Sequence, residues 1–172
     1  VRHTGCVYLN DVALYEALTM EECIAGEVYT SSWDPENSIY KWIAQQDGDE
    51  TVIYANFHDI DPNKEKTEIN VRRRCFFPEE TGRGYITFSG FKVEKAATTW
   101  APPAAFQDGM VGPHWSKGWI IENNHLHDAK CSAISLGKEE STGHNLYSRF
   151  DRKPGYQYQM EAVFLGLQAG WC

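Results

Sequence analysis

A short pattern in the second half of the chain occurs twice and limits how this region can fold. Phe88 and Val93 recur as Ile121 and Leu126 at one shared offset, and small or amide-bearing residues lie between the two apolar positions of each copy, Ser89-Gly90 in the first and Asn123-Asn124 in the second. Gly and Asn tolerate the left-handed backbone that a sharp corner requires. This pattern is typical of a parallel β-helix rung, in which each turn of the chain stacks on the previous one. We therefore expect Phe88 to lie over or under Ile121, and Val93 to lie likewise against Leu126.

The offset between the two copies of the pattern is longer than an ordinary rung. We attribute the excess to a loop inserted at Thr98–Asp108, where the Trp-Ala-Pro-Pro sequence from Trp100 cannot belong to a central strand. The segments Gly109–Gly112 and Ser132–Gly137 come before and after the Ile121 strand. They are expected to stack as neighbours on one sheet.

The first eighty residues alternate between apolar and polar side chains, as strands with one buried face do. Turn sequences rich in Asp, Pro, Asn and Gly separate these runs at hairpin length, which favours antiparallel pairing. A short helix is predicted around Thr19–Ala25, because Thr19 and Glu22 resemble a capping box. The predicted strands are Glu27–Thr30, Ser38–Ile43, Thr51–Ala55 and Thr67–Arg72.

The predicted fold class is all-β, with right-handed parallel β-helix rungs preceded by a mainly antiparallel β insertion. The predicted domains are 1–82, an N-terminal strand plus the insertion, and 83–172, a partial β-helix with long loops. Within the second domain, 143–158 is predicted to be a loop and Tyr158–Leu165 a short amphipathic helix. Both ends of the chain interrupt apolar or strand-like sequence, so we expect it to be a piece of a longer protein.

Charge and composition narrow the classes of function. The net charge is −8, with 24 acidic residues against 16 Lys and Arg, so nucleic acid is not expected as a partner. The sequence has no apolar run long enough to span a membrane. Its five cysteines are widely spaced and odd in number, which favours mostly free, buried thiols.

Four motifs in the second half resemble a known group of enzymes. They are Gly84-Tyr85-Ile86-Thr87-Phe88, Trp100-Ala101-Pro102-Pro103, the run from Gly112 to Asn124, and Ser135-Leu136-Gly137-Lys138. Together they resemble bacterial right-handed β-helix glycosidases, most nearly those of glycoside hydrolase family 141. That family is similar to pectate-lyase-type β-helices and includes α-L-fucosidase and xylanase activities. The part before Gly82 resembles the β-rich insertion that such proteins carry.

The resemblance implies a secreted or periplasmic bacterial enzyme that hydrolyses plant or microbial polysaccharide, of which this chain is a fragment. A polysaccharide or oligosaccharide is then the expected partner, and no cofactor is expected. A non-catalytic carbohydrate-binding module and a polysaccharide lyase remain alternatives, because β-helices host several functions. Two carboxyl groups that converge on one groove would favour the hydrolase.

Glycoside hydrolysis needs one carboxylic acid to protonate the leaving oxygen and a second carboxylate to attack or to activate water. The candidate catalytic residues are Glu161, which interrupts an apolar stretch, Glu122 within the repeat, and Asp128 at the end of His-Leu-His-Asp. A structural role for each is an open alternative: an ion pair for Glu161, a solvated strand position for Glu122 and a turn cap for Asp128. Asp108, Glu139 and Glu140 complete the set of acids considered.

Sugar binding is expected to use aromatic faces and an imidazole. Trp100 and Trp115 are flanked by Pro and Gly and are predicted to be exposed, so that they can stack on a pyranose ring. His114 could donate to or accept from a sugar hydroxyl, or else pack within its loop. His125 and His127 share one side of a strand. Because no third ligand has suitable spacing, no metal site is predicted.

Overall fold

The computed structural model describes residues 5–100 and 107–136, and strands predominate over these residues. The all-β prediction is therefore confirmed. The described part contains no helix long and apolar enough to cross a membrane. The chain divides into two compact units, Val1–Val71 and Arg72–Cys172. The boundary after residue 82 stays a prediction, and Glu139, Glu140, Glu161, the 143–158 loop and the Tyr158–Leu165 helix lie outside the described residues.

One sheet of the first unit has the strand order β2-β1-β6. Strand β1 (Cys6–Leu9) pairs antiparallel with β2 (Val12–Ala13) and with β6 (Thr67–Asn70). The hairpin between β1 and β2 turns through Asn10 and Asp11, which have φ of 49° and 69°. Two successive left-handed residues match the right-handed twist of the strands they join. Apart from Gly, Asn and Asp are the residues that tolerate this backbone best.

A second sheet has the strand order β3-β4-β5. Strand β4 (Lys41–Asp47) forms an antiparallel hairpin with β5 (Glu50–Asn56), and β3 (Tyr15–Glu16) pairs with β4 in parallel. The mainly antiparallel character of the first unit is thus confirmed. The predicted strand at Glu27–Thr30 is wrong, because a hydrogen bond from the backbone of Ser32 to that of Tyr29 turns the chain there. A short 3-10 helix at Asn37–Ile39 replaces the start of the predicted strand at Ser38.

The predicted helix is present as α1 (Met20–Ala25). Thr19 caps it by accepting a hydrogen bond from the backbone N–H of Glu22, whose carboxylate accepts one from the backbone of Leu18. Gly26 ends the helix in the left-handed conformation, with φ of 57°. Buried residues of β4 and the segments around it form the apolar core of this unit: Val7, Leu9, Leu14, Trp42 and Ala44.

The described residues of the second unit form three parallel strand pairs. Strands β7 (Thr87–Ser89), β8 (Lys92–Glu94) and β9 (Gly109–Val111) pair with β10 (Ile120–Glu122), β11 (His125–His127) and β12 (Ser132–Ile134), respectively. These pairs confirm that the strands beginning at Gly109 and Ser132 are neighbours. In this unit the described residues form two-stranded sheets, and they do not show a complete β-helix.

The register within these pairs is the one that the sequence repeat predicts. Phe88 lies opposite Ile121, and Val93 lies opposite Leu126. The segment 95–108 separates β8 from β9, whereas only 128–131 separates β11 from β12, so the extra length lies where the loop is predicted. The inward side chains form one apolar cluster: Phe88, Val93, Ala96, Met110 and Val111, with Ile121, Leu126, Ala129 and Ala133 against them.

Asn124 stabilises the corner between the β7–β10 and β8–β11 pairs. Its amide nitrogen donates to the carbonyl oxygen of Phe88 at 2.8 Å, and its amide oxygen accepts from the backbone N–H of Phe91 at 2.9 Å. Asn123 and Gly90 occupy equivalent corner positions with φ of 54° and 82°. One amide side chain therefore provides a hydrogen-bond partner for two backbone groups of the segment that contains β7 and the turn after it.

Replacement of Asn124 by Ala should lower the free energy of unfolding of the second unit by about 1–3 kcal/mol, because two backbone groups lose their partner. Ser89→Ala is the matched control, since Ser89 is exposed on β7, and its effect should be within about 0.5 kcal/mol. Urea denaturation of both variants measures the difference. Equal stability of the two variants would contradict a structural role for the Asn124 amide.

Candidate functional site

Charged side chains and two imidazoles gather on the paired strands β8 and β11, and we call this group the His127 network: Lys92, Glu94, His125, His127 and Asp128. Nδ1 of His127 lies 2.6 Å from Oδ2 of Asp128, and its Nε2 lies 2.9 Å from Oε2 of Glu94. The Glu94 carboxylate also lies 2.8 Å from Nζ of Lys92. Lys92, His125 and Asp128 are exposed and Glu94 and His127 are half-buried, but the Nε2 atom of His127 is shielded from solvent.

The hydrogen-bond geometry orients the His127 ring. The contact with Asp128 is a hydrogen bond, whereas the contact with Glu94 has the distance of an ion pair without hydrogen-bond geometry. A carboxylate only accepts hydrogen bonds, so Nδ1 of His127 carries the hydrogen. The His127 ring is therefore held between two carboxylates, and a second proton on Nε2 would face Glu94.

Glu94 is an anion at neutral pH. The hydrogen bond from Lys92 is the largest influence lowering the pKa of Glu94; burial opposes it, and the electrostatic influence of Lys92, Lys95 and His127 adds to the lowering. An anionic carboxylate of this kind can accept a hydrogen bond from a hydroxyl group or hold a protonated imidazole.

His125 lies beside His127 on β11, as predicted, with ring centroids 4.6 Å apart. Within 5–100 and 107–136, no group of three or more His, Cys, Asp or Glu side chains has an arrangement that could hold a metal ion. The prediction that the protein uses no metal stays a prediction.

The structure places the two described catalytic candidates on different strand pairs. Glu122 is exposed at the end of β10, and Asp128 follows β11 in the left-handed conformation, with φ of 53°. Asp128 thus combines a turn position with its hydrogen bond to His127. The turn position agrees with the turn role that the sequence left open for Asp128, and its catalytic role stays a prediction.

Asp108 has a different role from the other acids. Its two oxygens lie 3.2 Å and 3.1 Å from a guanidinium nitrogen of Arg74, whose Cζ lies 4.5 Å from the centre of the Phe77 ring. Asp108 is buried, and a buried carboxylate needs a partner of opposite charge, which the guanidinium of Arg74 provides. We assign Asp108 to a structural ion pair next to β9.

The two predicted sugar-stacking tryptophans differ in exposure. Trp100 is 64% exposed, as predicted, but Trp115 is 1% exposed, so the prediction of an exposed Trp115 is wrong. The chain around Trp115 turns back on itself: the backbone of Ser116 donates to that of Pro113, and the Ser116 hydroxyl accepts from the backbone of Arg83. Flanking Pro and Gly residues here make a tight turn that buries the indole rather than a loop that exposes it.

His114 is partly buried beside Trp115. Its Nδ1 lies 2.9 Å from the carbonyl oxygen of Pro78, and its ring centroid is 5.0 Å from that of Phe77. A carbonyl oxygen only accepts, so Nδ1 carries the hydrogen, and Nε2 of the neutral ring has the lone pair. This tautomer suits acceptance of a hydrogen bond from a hydroxyl group.

The sequence analysis did not single out Lys92 and Glu94. The repeat contained the signal, since the offset that aligns Val93 with Leu126 also aligns Lys92 with His125 and Glu94 with His127. A charged residue predicted to lie directly beside a histidine on a neighbouring parallel strand is a candidate for an ion pair.

The first unit contains an open cleft of about 1130 Å³ with mainly apolar walls. Cys23 contributes to its wall, and burial is the largest cause raising the pKa of that thiol. The thiol is therefore protonated and unreactive at neutral pH. The other walls are formed by residues of α1, β5 and the segments near β6: Val7, Met20, Ile24, Ile53, Tyr54, Ala55, Asn56, Phe57, His58, Ile60, Pro62, Asn63, Thr67 and Ile69.

The ion pairs of Glu94 predict a specific pH dependence. Because the pKa of Glu94 in the folded protein is below its usual value of 4.5, the carboxylate contributes stability above about pH 4.5 that is lost as the pH falls through the folded pKa. Glu94→Gln should therefore be less stable than the wild type at neutral pH, and the difference should disappear in acid. Glu122→Gln, at an exposed position on β10, is the control, and urea denaturation at several pH values provides the measurement. A difference that is independent of pH would contradict the charge-based account.

Two comparisons with known proteins gave matches. Residues 1–69 match the family model described as glycoside hydrolase 120, insertion domain. A solved structure described as the complex of XylC with xylose is similar to 98% of the chain, with 52% sequence identity and a TM-score of 0.77. No curated protein matches the chain.

The chain spans 28% of the length of XylC. The two similarities support a relationship to glycoside hydrolases, as the sequence motifs implied. They do not confirm the resemblance to family 141, since the matching family model is that of family 120.

Proposed function

We propose that this chain is part of a glycoside hydrolase of family 120 that acts on xylose-containing oligosaccharides or polysaccharides. The observation that carries the proposal is the 52% identity, over 98% of the chain, to a protein solved in complex with xylose. Identity at this level over both units favours the same class of ligand. The match of residues 1–69 to the family 120 insertion domain favours that family over family 141.

The three parallel strand pairs of the second unit support a proposal for its fold. We propose that β7, β8 and β9 form one rung of a right-handed parallel β-helix and that β10, β11 and β12 form the next. The two rungs are supported by the parallel pairing of each strand with its later counterpart, in the same order along the chain. The right hand is supported by the strong preference of connections between parallel strands for that hand. A groove across such rungs would collect side chains from successive turns of the chain.

The proposed site residues keep the roles that the sequence suggested. Glu122, Asp128 and Glu161 are the candidate carboxyl groups, and His114 and Trp100 are the candidate sugar contacts. Hydrolysis requires two carboxyl groups on opposite sides of the scissile bond, about 5–5.5 Å apart for a retaining enzyme and about 6.5–9.5 Å apart for an inverting one. We also propose export from a bacterial cell, because extracellular polysaccharides cannot enter the cell intact.

The full-length protein should release the aryl group from a chromogenic aryl xyloside, and both anomers of the substrate should be tested. The 172-residue chain alone should be a poor catalyst, because correct orientation of acid, nucleophile and sugar contributes up to about 7–11 kcal/mol and a groove spans several rungs. Parallel assays of the chain and of a C-terminally extended protein measure the difference. Full activity of the short chain would contradict the proposal that it is a fragment.

Two variants test individual residues in the same assay. Glu161→Gln should abolish activity in the extended protein if Glu161 is a catalytic carboxyl group, and His114→Ala should raise KM more than it lowers kcat if His114 binds the sugar. Ser89→Ala is the control for an exposed polar change in the second unit. Unchanged kinetics in Glu161→Gln would remove that residue from the candidates.

A further inference from the structure

One loop of the first unit carries an indole that is almost entirely in solvent. Trp33 is 95% exposed, and Tyr29 and Val28 in the same loop are 57% and 51% exposed. We call residues 27–36 the Trp33 loop. Single exposed apolar residues are common on protein surfaces, but an almost fully exposed tryptophan, in a loop that exposes two further apolar side chains, is not explained by the fold of this unit.

The Trp33 loop is held in place by buried or partly buried hydroxyl groups. The Tyr15 hydroxyl lies 2.5 Å from that of Ser32 and donates to the carbonyl oxygen of Asp34 at 3.0 Å. The Ser32 hydroxyl also accepts from the backbone N–H of Asp34 at 3.0 Å. Residues on both sides of Trp33 are therefore fixed to β3.

Ser38 fixes the rest of the loop. This residue is fully buried, and its hydroxyl accepts from the backbone N–H of Tyr29 at 2.8 Å and donates to the carbonyl oxygen of Pro35 at 2.6 Å. The side-chain amide of Asn37 donates to the Asp34 carboxylate. The backbone that presents the indole is thus ordered before any ligand arrives, which reduces the entropy lost on binding.

The size of the exposed surface favours a small ligand over a protein. One tryptophan offers roughly 250 Å² of contact surface, whereas a stable protein interface needs about 800 Å² from each partner. An indole face is comparable in size to one pyranose ring, whose axial C–H groups form an apolar surface. The area therefore matches one sugar residue and falls short of a second copy of the chain.

The charges near Trp33 select the kind of sugar. The loop contains Glu27, Asp34 and Glu36 but no Lys or Arg. Carboxylates accept hydrogen bonds from sugar hydroxyls and repel uronic acids and sulfated sugars. A neutral oligosaccharide fits these groups.

We propose that Trp33 is a stacking platform that binds one pyranose ring of a neutral, xylose-containing oligosaccharide. The choice of xylose rests on the proposed function, whereas the stacking role rests on the exposure and fixed backbone of the loop. The platform belongs to the first unit, outside the strand pairs that carry the catalytic candidates. It would add affinity for longer chains without taking part in bond cleavage.

Calorimetric titration of the isolated chain with xylohexaose tests the proposal. Trp33→Ala should weaken binding by roughly tenfold or more, as expected for the loss of an aromatic contact of about 1.4 kcal/mol. Trp33→Phe should retain most of the affinity. Val71→Ala is the control, because Val71 is 81% exposed but lies outside the loop, and circular dichroism confirms that each variant is folded.

The outcomes separate this proposal from the proposed function. Equal affinity of the wild type and Trp33→Ala, or no binding by the wild type, would overturn the stacking role even if the full-length protein hydrolyses xylosides. Loss of self-association in Trp33→Ala, measured by sedimentation and without an effect of sugar, would overturn it in favour of a second copy. Weaker binding in Trp33→Ala supports the platform even if the full-length protein hydrolyses no xyloside.

Discussion

The stacking of Phe88 on Ile121 and of Val93 on Leu126 is the constraint on which the second unit depends. Side chains alternate between the two faces of a strand, so a slip of one residue would move these apolar groups out of the cluster around Met110 and Val111. The same register brings Glu94 beside His127. The charged network on the outer face is therefore a consequence of the apolar packing on the inner face.

The third strand pair shows how closely two parallel segments of this unit approach each other. A Cβ atom on Gly112 would lie 2.0 Å from the backbone oxygen of Ser135, and one on Gly109 would lie 2.5 Å from the backbone nitrogen of the same serine. A side chain at these distances would collide with backbone atoms, so glycine is required at the first residue of β9 and directly after its last. The corner amide of Asn124 and these two glycines thus stabilise different strand pairs of the second unit.

Much of this arrangement could be predicted from the sequence because it depends on periodicity and turn chemistry. The shared offset of the two apolar pairs identified the register, and the Thr19–Glu22 pair identified the helix. Features that depend on distant contacts could not be predicted. The burial of Trp115 depends on Ser116 and Arg83, the ion pair of Asp108 depends on Arg74, and the turn at Tyr29 depends on the buried hydroxyl of Ser38. In each case the local sequence was compatible with more than one structure, and contacts with other residues of the fold determined which structure formed.

The central claim is that the protein cleaves a glycosidic bond with water. Digestion of a xylo-oligosaccharide by the full-length protein in water enriched in heavy oxygen, followed by mass spectrometry of the products, tests this claim most directly. A hydrolase transfers the heavy oxygen of water to one of the two new ends. Label on the anomeric carbon shows that the bond between this carbon and the glycosidic oxygen was broken. The account predicts labelled, saturated products. Cleavage that leaves the heavy oxygen out of both new ends, or the absence of cleavage, would contradict the account.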